Sequence, residues 1–191
     1  AKLDLSGKAL QLYQFKSKRY GIEYFDEHGA SAQKALMKTP IDGARLSSGY
    51  GRRRHPILGY NKMHRGIDFA APRGTPVFAA GNGKVVHAGR LANYGKLIKI
   101  RHNRSYTTFY AHLQGFKRGI RQGKRVNQGE IIGHVGSTGR STGPHLHYEV
   151  HAFGKRVNPM KLKLPSGRKL KGHELRLFRE NVAKLKIRII K

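Results

Sequence analysis

The chain has 191 residues, enough for a domain with a core of ordinary size. Its 39 Lys and Arg against 10 Asp and Glu give a formal net charge of +29, which calls for a polyanionic partner or surroundings. With no cysteine there is no disulfide or thiolate chemistry; no apolar run is long enough to span a membrane or form a signal core, so the chain from Ala1 is expected to be a mature form.

Residues 1–45 carry eight Lys or Arg against five acids and are less basic than the remainder. Gln11-Leu12-Tyr13-Gln14-Phe15 and Gly21-Ile22-Glu23-Tyr24-Phe25 read as strands, with Asp26-Glu27-His28-Gly29 a hairpin turn closing before Ala30. They are expected to be a strand lead-in, the remnant of a preceding domain. From 46 to 160, the apolar runs at 76–80, 84–88, 97–100 and 130–132 are separated by glycine turns. Tyr106-Thr107-Thr108-Phe109-Tyr110-Ala111 is β-branched and aromatic, as a strand is. The pattern predicts an all-β, mainly antiparallel domain. The glycine-rich loop Gly136 to Gly143 is expected to wall an open substrate groove; no Gly-Lys-Ser or Gly-Lys-Thr follows it, which argues against a nucleotide site. Residues 161–191 hold eleven Lys or Arg against Glu174 and Glu180. Leu175, Phe178, Val182 and Leu185 recur at spacings of three and four and predict an amphipathic helix over roughly 173 to 186, a cap on a core rather than a membrane contact.

The chemistry concentrates at two places. In His145-Leu146-His147-Tyr148-Glu149-Val150 apolar and polar residues alternate, so the run reads as a strand with both imidazoles on one face. In His64-Arg65-Gly66-Ile67-Asp68-Phe69 a carboxylate lies between two apolar residues, and Gly66 lets the backbone turn between His64 and Asp68. Residues 51–160 contain twenty Lys or Arg and only three acids, Asp68, Glu130 and Glu149. An acid in so basic a region needs a reason, and a divalent cation supplies one for Asp68. Zinc in hydrolases takes three protein ligands and keeps a fourth position for water, and His64, Asp68 and His147 meet that requirement. His102 and His151 read as structural residues, and His55 and His134 as candidates for positions behind the ligands.

These segments, with Tyr110-Ala111-His112-Leu113 and Gly143-Pro144-His145-Leu146-His147, resemble the signature blocks of the lysostaphin-type, or LytM-domain, zinc metallopeptidases over about residues 46 to 160. The resemblance implies a LytM β-domain, one zinc per chain on His64, Asp68 and His147, and His112 and His145 as the catalytic pair. No His-Glu-x-x-His helix is present, so histidine is expected to do the acid–base work that a glutamate does there. The implied activity is peptidoglycan endopeptidase, most specifically a D,D-endopeptidase at D-alanine to diaminopimelate cross-links, as in Gram-negative periplasmic members. A glycyl-glycine endopeptidase and a non-catalytic murein-binding amidase activator are the alternatives; the intact ligand set argues against the second. The expected location is the periplasm or cell envelope, and the expected partners are cross-linked stem peptides together with anionic envelope polymers. Nucleic acid would satisfy the charge, but the basic residues are dispersed and the histidine pair would go unexplained, so none is expected.

Overall fold

The computed structural model describes all residues except 1, 6–7, 18–20, 33–34, 55–60, 163–168 and 191. It divides into two compact units, Ala1–Leu36 with Lys163–Lys191, and Met37–Leu162.

In the first unit β1 (Lys2–Leu5) pairs with β2 (Lys8–Gln11), and β3 (Tyr13–Ser17) with β4 (Gly21–Phe25), both antiparallel. The turn expected after Phe25 is present. The Asp26 carboxylate accepts from the backbone N–H of His28 and of Ala30, and Gly29 takes the left-handed conformation that closes the turn. The C-terminal helix, numbered α1 (Gly172–Ile190), is longer than the expected span. Phe178 and Val182 are buried with Tyr13, Phe15, Phe25 and Leu170, with Leu175 packed at the edge. Phe178 meets the rings of Phe15 and Phe25 edge-on at 5.6 and 5.7 Å. The helix is therefore a cap on an aromatic core, as its stripe predicts, except that Leu185 is exposed.

The second unit is built on a ten-stranded sheet among the described residues. Its central strands are β10 (Gly83–Leu91), β11 (Gly95–Arg101), β12 (Tyr106–Phe116), β15 (His145–Ala152), β8 (Ile67–Ala70) and β5 (Arg45–Ser48), antiparallel in that spatial order. At the margins, β9 (Pro76–Phe78) pairs with β14 (Ile131–Val135), β13 (Arg125–Val126) with β10, and β16 (Lys155–Val157) with β15. A separate ribbon joins β6 (Gly51–Arg54) to β7 (Asn61–His64). The all-β, antiparallel expectation holds.

Alternation assigns the two faces of the central strands. Ile98, Ile100, Tyr110, Leu146, Tyr148, Ile67 and Phe69 lie on one face and are buried. There the two tyrosine hydroxyls are satisfied: Ala80 N–H and the Thr108 hydroxyl donate to Tyr110, and Tyr148 donates to the Met37 carbonyl. The opposite face therefore receives Phe109, Ala111, His145, His147, Glu149 and Asp68.

β12 changes partner along its length. Tyr106 to Ala111 pair with β15, whereas Leu113 to Phe116 pair with β14. His112 stands at the changeover with φ +60°, a left-handed conformation unusual for a residue with a side chain. Such a backbone costs about 1–3 kcal/mol and persists only where its surroundings hold it.

Candidate metal centre and groove

The register of β15 against β8 places His147 directly opposite Asp68, so both side chains rise from the same point of the sheet. His64, at the end of β7, completes the group. Asp68 Oδ1 is 2.7 Å from His147 Nδ1 and 3.2 Å from His64 Nε2, and the two nitrogens are 3.1 Å apart. Gly66 lies at the bend between β7 and β8, as expected, and is needed there for space as well. It lacks a left-handed backbone, but a Cβ there would come within 2.6 Å of His147 Cε1 and 2.8 Å of the Tyr148 carbonyl.

The far nitrogen of each imidazole is tied to an acceptor. His64 Nδ1 lies 2.7 Å from the Gly49 carbonyl, and His147 Nε2 lies 3.0 Å from Glu149 Oε1. Each of those nitrogens carries the proton, so in neutral rings His64 Nε2 and His147 Nδ1 present lone pairs. Three electron-pair donors, two nitrogens and a carboxylate oxygen, thus converge within 4.8 Å of one another. Such a group can hold a cation. Zinc bonds of about 2.0–2.1 Å at tetrahedral angles set donors about 3.3 Å apart, close to the spacings here, and a carboxylate or carbonyl behind each imidazole is what holds zinc-binding histidines in place.

The electrostatics agree. Burial raises the Asp68 carboxyl, but the hydrogen bonds to His147 and His64 outweigh it and hold the group well below the usual carboxylate range. Burial disfavours charge on His147, yet Asp68 and Glu149 on either side push it up to about 9. Without a cation, a proton occupies that position.

Glu149 was singled out in the sequence only as a rare acid; its place in the site was not foreseen. It is buried, and each carboxylate oxygen takes two partners: His147 Nε2 and the Tyr94 hydroxyl on one, His151 Nε2 and Arg156 Nε on the other. Desolvation raises its carboxyl, but the hydrogen bonds from His147 and His151 more than compensate and keep it ionised. His151, expected to be merely structural, supports the same carboxylate and stacks on Phe109 at 4.0 Å. The signal was the repeated i+2 step from His147 to Glu149 to His151 along a strand already read as alternating.

His112 and His145 flank the donors. Their rings lie 4.7 Å apart, His112 is 5.7 Å from the His147 ring, and His145 Nε2 is 3.9 Å from Asp68 Oδ1. His112 Nδ1 is held at 2.8 Å by the Thr138 carbonyl and His145 Nδ1 at 2.8 Å by the Gly143 carbonyl. Nε2 is left for chemistry in both. Burial pushes the His112 imidazole down to about 4, so it is neutral at physiological pH. His134 sits on β14 opposite Gly115 and Pro76, away from the donors, and His55 lies outside the described residues. His102 is structural, bonded to the Asn82 carbonyl and to Thr108.

The five residues open into a groove of about 910 Å³. The Gly136 to Gly143 loop contributes Arg140 to Gly143, as expected of one wall, and Tyr94, Ser48 and Met63 line other parts. The loop is fixed by close backbone approach: a Cβ on Gly139 would come within 2.4 Å of Gly95 N and 2.6 Å of the Asn93 carbonyl.

An antiparallel sheet that carries three convergent donors and two flanking imidazoles in an open groove is the layout of a metal-dependent hydrolase. The chain belongs to Peptidase family M23, whose profile matches residues 62–159 and so includes all five site residues. Peptidoglycan DD-endopeptidase ShyC of Vibrio cholerae serotype O1 is 43% identical over 159 residues, which cover 83% of this chain and 36% of ShyC. A zinc-containing peptidase from Vibrio cholerae has a similar structure, with TM-score 0.64 and 35% identity over 86% of this chain and 50% of that one. The catalytic domain of the antimicrobial peptidase lysostaphin from Staphylococcus simulans aligns with TM-score 0.55 and 35% identity over 62% of this chain and 91% of that domain. The chain thus spans about a third of the length of the curated relative ShyC.

Proposed function

We propose that the chain is the catalytic part of a zinc-dependent peptidoglycan endopeptidase that hydrolyses an amide in the peptide cross-links of the cell wall, most specifically the D-alanine to diaminopimelate bond. The observation that carries this is the convergence of His64 Nε2, Asp68 Oδ1 and His147 Nδ1, each imidazole locked from behind. The likeness to ShyC, named a peptidoglycan DD-endopeptidase, supports the choice of substrate.

In this assignment His64, Asp68 and His147 hold the ion, which when bound polarises a carbonyl and makes water a competent nucleophile near neutral pH. The chain's other residues move protons. His112, kept neutral by burial, and His145, each anchored through Nδ1, present Nε2 to the reacting atoms. One takes at Nε2 the proton released as water adds to the carbonyl carbon; the other in its protonated form, or the first once it has become the imidazolium, donates from Nε2 to the developing oxyanion, and the proton taken from water is returned to the leaving amine as the C–N bond breaks. The site of action is the cell envelope, in a Gram-negative cell the periplasm, and no helix among the described residues is long and apolar enough to cross a membrane.

The test is digestion of purified cross-linked muropeptides with and without a chelator. Loss of dimers, prevented by chelation and restored by zinc, is the expected result. Binding without cleavage would make the protein an activator, and cleavage confined to glycine bridges would move the specificity to that of a glycyl-glycine endopeptidase.

A further inference from the structure

The acids and bases of the groove are unequally engaged. Its two carboxylates, Asp68 and Glu149, are both buried and committed, the first to His64 and His147 and the second to His147, His151, Tyr94 and Arg156. Arg156 is spent on Glu149. Two other arginines line the groove, Arg65 and Arg140, and neither has an ion-pair partner among the described residues. The charge the groove offers a ligand is therefore positive, and it is guanidinium charge, which matches a carboxylate with two parallel N–H donors.

The two arginines stand on different sides of the donors. Arg65 leads into β8. Arg140 donates its backbone N–H to the Asn93 carbonyl, beside the start of β11. β12 and β15 lie between β11 and β8, so the two anchor points belong to strands on either side of the β12–β15 pair. A peptide laid across His147 from the β8 side toward the β11 side passes both of these groove-lining arginines.

We propose that Arg65 and Arg140 determine the groove's specificity, each binding a free carboxylate of the peptide, one on either side of the scissile amide. The ligand class is an anionic peptide with a free carboxylate on each side of the scissile amide, as opposed to a neutral oligoglycine bridge. The assignment rests on the endopeptidase reading above and refines its substrate.

The experiment compares a cross-linked muropeptide dimer bearing free carboxylates with the same dimer after amidation of those carboxylates. With the zinc-loaded wild-type chain, kcat/KM for the free form should exceed that for the amidated form by on the order of tenfold or more, the scale of one charge-assisted hydrogen-bonded contact. In Arg65→Gln and Arg140→Gln the KM for the free form should rise with kcat little altered, and the free-to-amidated ratio should fall toward one. Equal handling of both dimers by the wild type, or a ratio that survives in both variants, overturns the proposal. Failure of the endopeptidase reading is separable. If neither dimer is cleaved, titration calorimetry of both dimers on the His145→Ala chain still decides: tighter binding of the free form, lost in the arginine variants, supports the assignment, and equal binding overturns it.

Discussion

In the proposed assignment His145 and His147 differ in task although two residues apart on one strand, since in the β15–β8 register His147 pairs with Asp68 and His145 with Ala70. His147→Ala should abolish bound zinc and activity together, whereas His145→Ala should lose turnover while keeping most of the metal, as measured by metal analysis beside the muropeptide assay. Glu149→Gln leaves the shape but offers an amide where four donors expect a carboxylate. Zinc affinity in that variant should drop by about 10–100-fold, readable by chelator competition. The proton held at His147 sets the pH dependence of loading. Its imidazole is raised to about 9 in the metal-free protein, so below that pH zinc must displace a proton and above it need not. Apparent zinc affinity should therefore climb about tenfold per pH unit between 7 and 9 and then level off, with close to one proton released per ion at pH 7.5 in calorimetry across buffers.

At the scale of elements, α1 is joined to its unit mainly through Phe178. Phe178→Ala removes a fully buried ring between Phe15 and Phe25 and should cost about 3–5 kcal/mol, seen as an earlier thermal transition of that unit. This helix was legible in the sequence because its apolar positions recur at three and four, and β15 because Leu146, Tyr148 and Val150 alternate with polar neighbours. Period two likewise put His145 and His147 on one face, whereas the nearness of His64 and Asp68 to His147 comes from other segments. What stayed hidden depends on pairing between distant segments. The Gly49 carbonyl behind His64, the Thr138 carbonyl behind His112 and the Tyr94 hydroxyl on Glu149 are reached only after the sheet has closed. The change of partner along β12 is of this kind too: nothing local in Tyr110-Ala111-His112-Leu113 announces that the strand leaves β15 for β14 at the histidine.

For the whole molecule, a charge of this size bears on which surfaces would hold the chain more than on how it folds. A formal +29 should hold it on anionic wall polymer, with attraction acting over a Debye length of about 10 Å at 0.1 M salt. Retention on isolated sacculi should weaken markedly between 50 and 500 mM NaCl, in a pull-down assay with the chelated protein, while zinc content of the loaded protein stays constant over the same range. The aromatic cluster of the first unit draws on both ends of the chain, with the entire sheet of the second unit encoded between them. During synthesis β3 and β4 therefore leave the ribosome about 150 residues before α1 does, roughly 7–30 s at about 5–20 residues per second. Through that interval α1 is not yet available to Phe15 and Phe25, so the aromatic cluster can close only after the whole sheet of the second unit has been made.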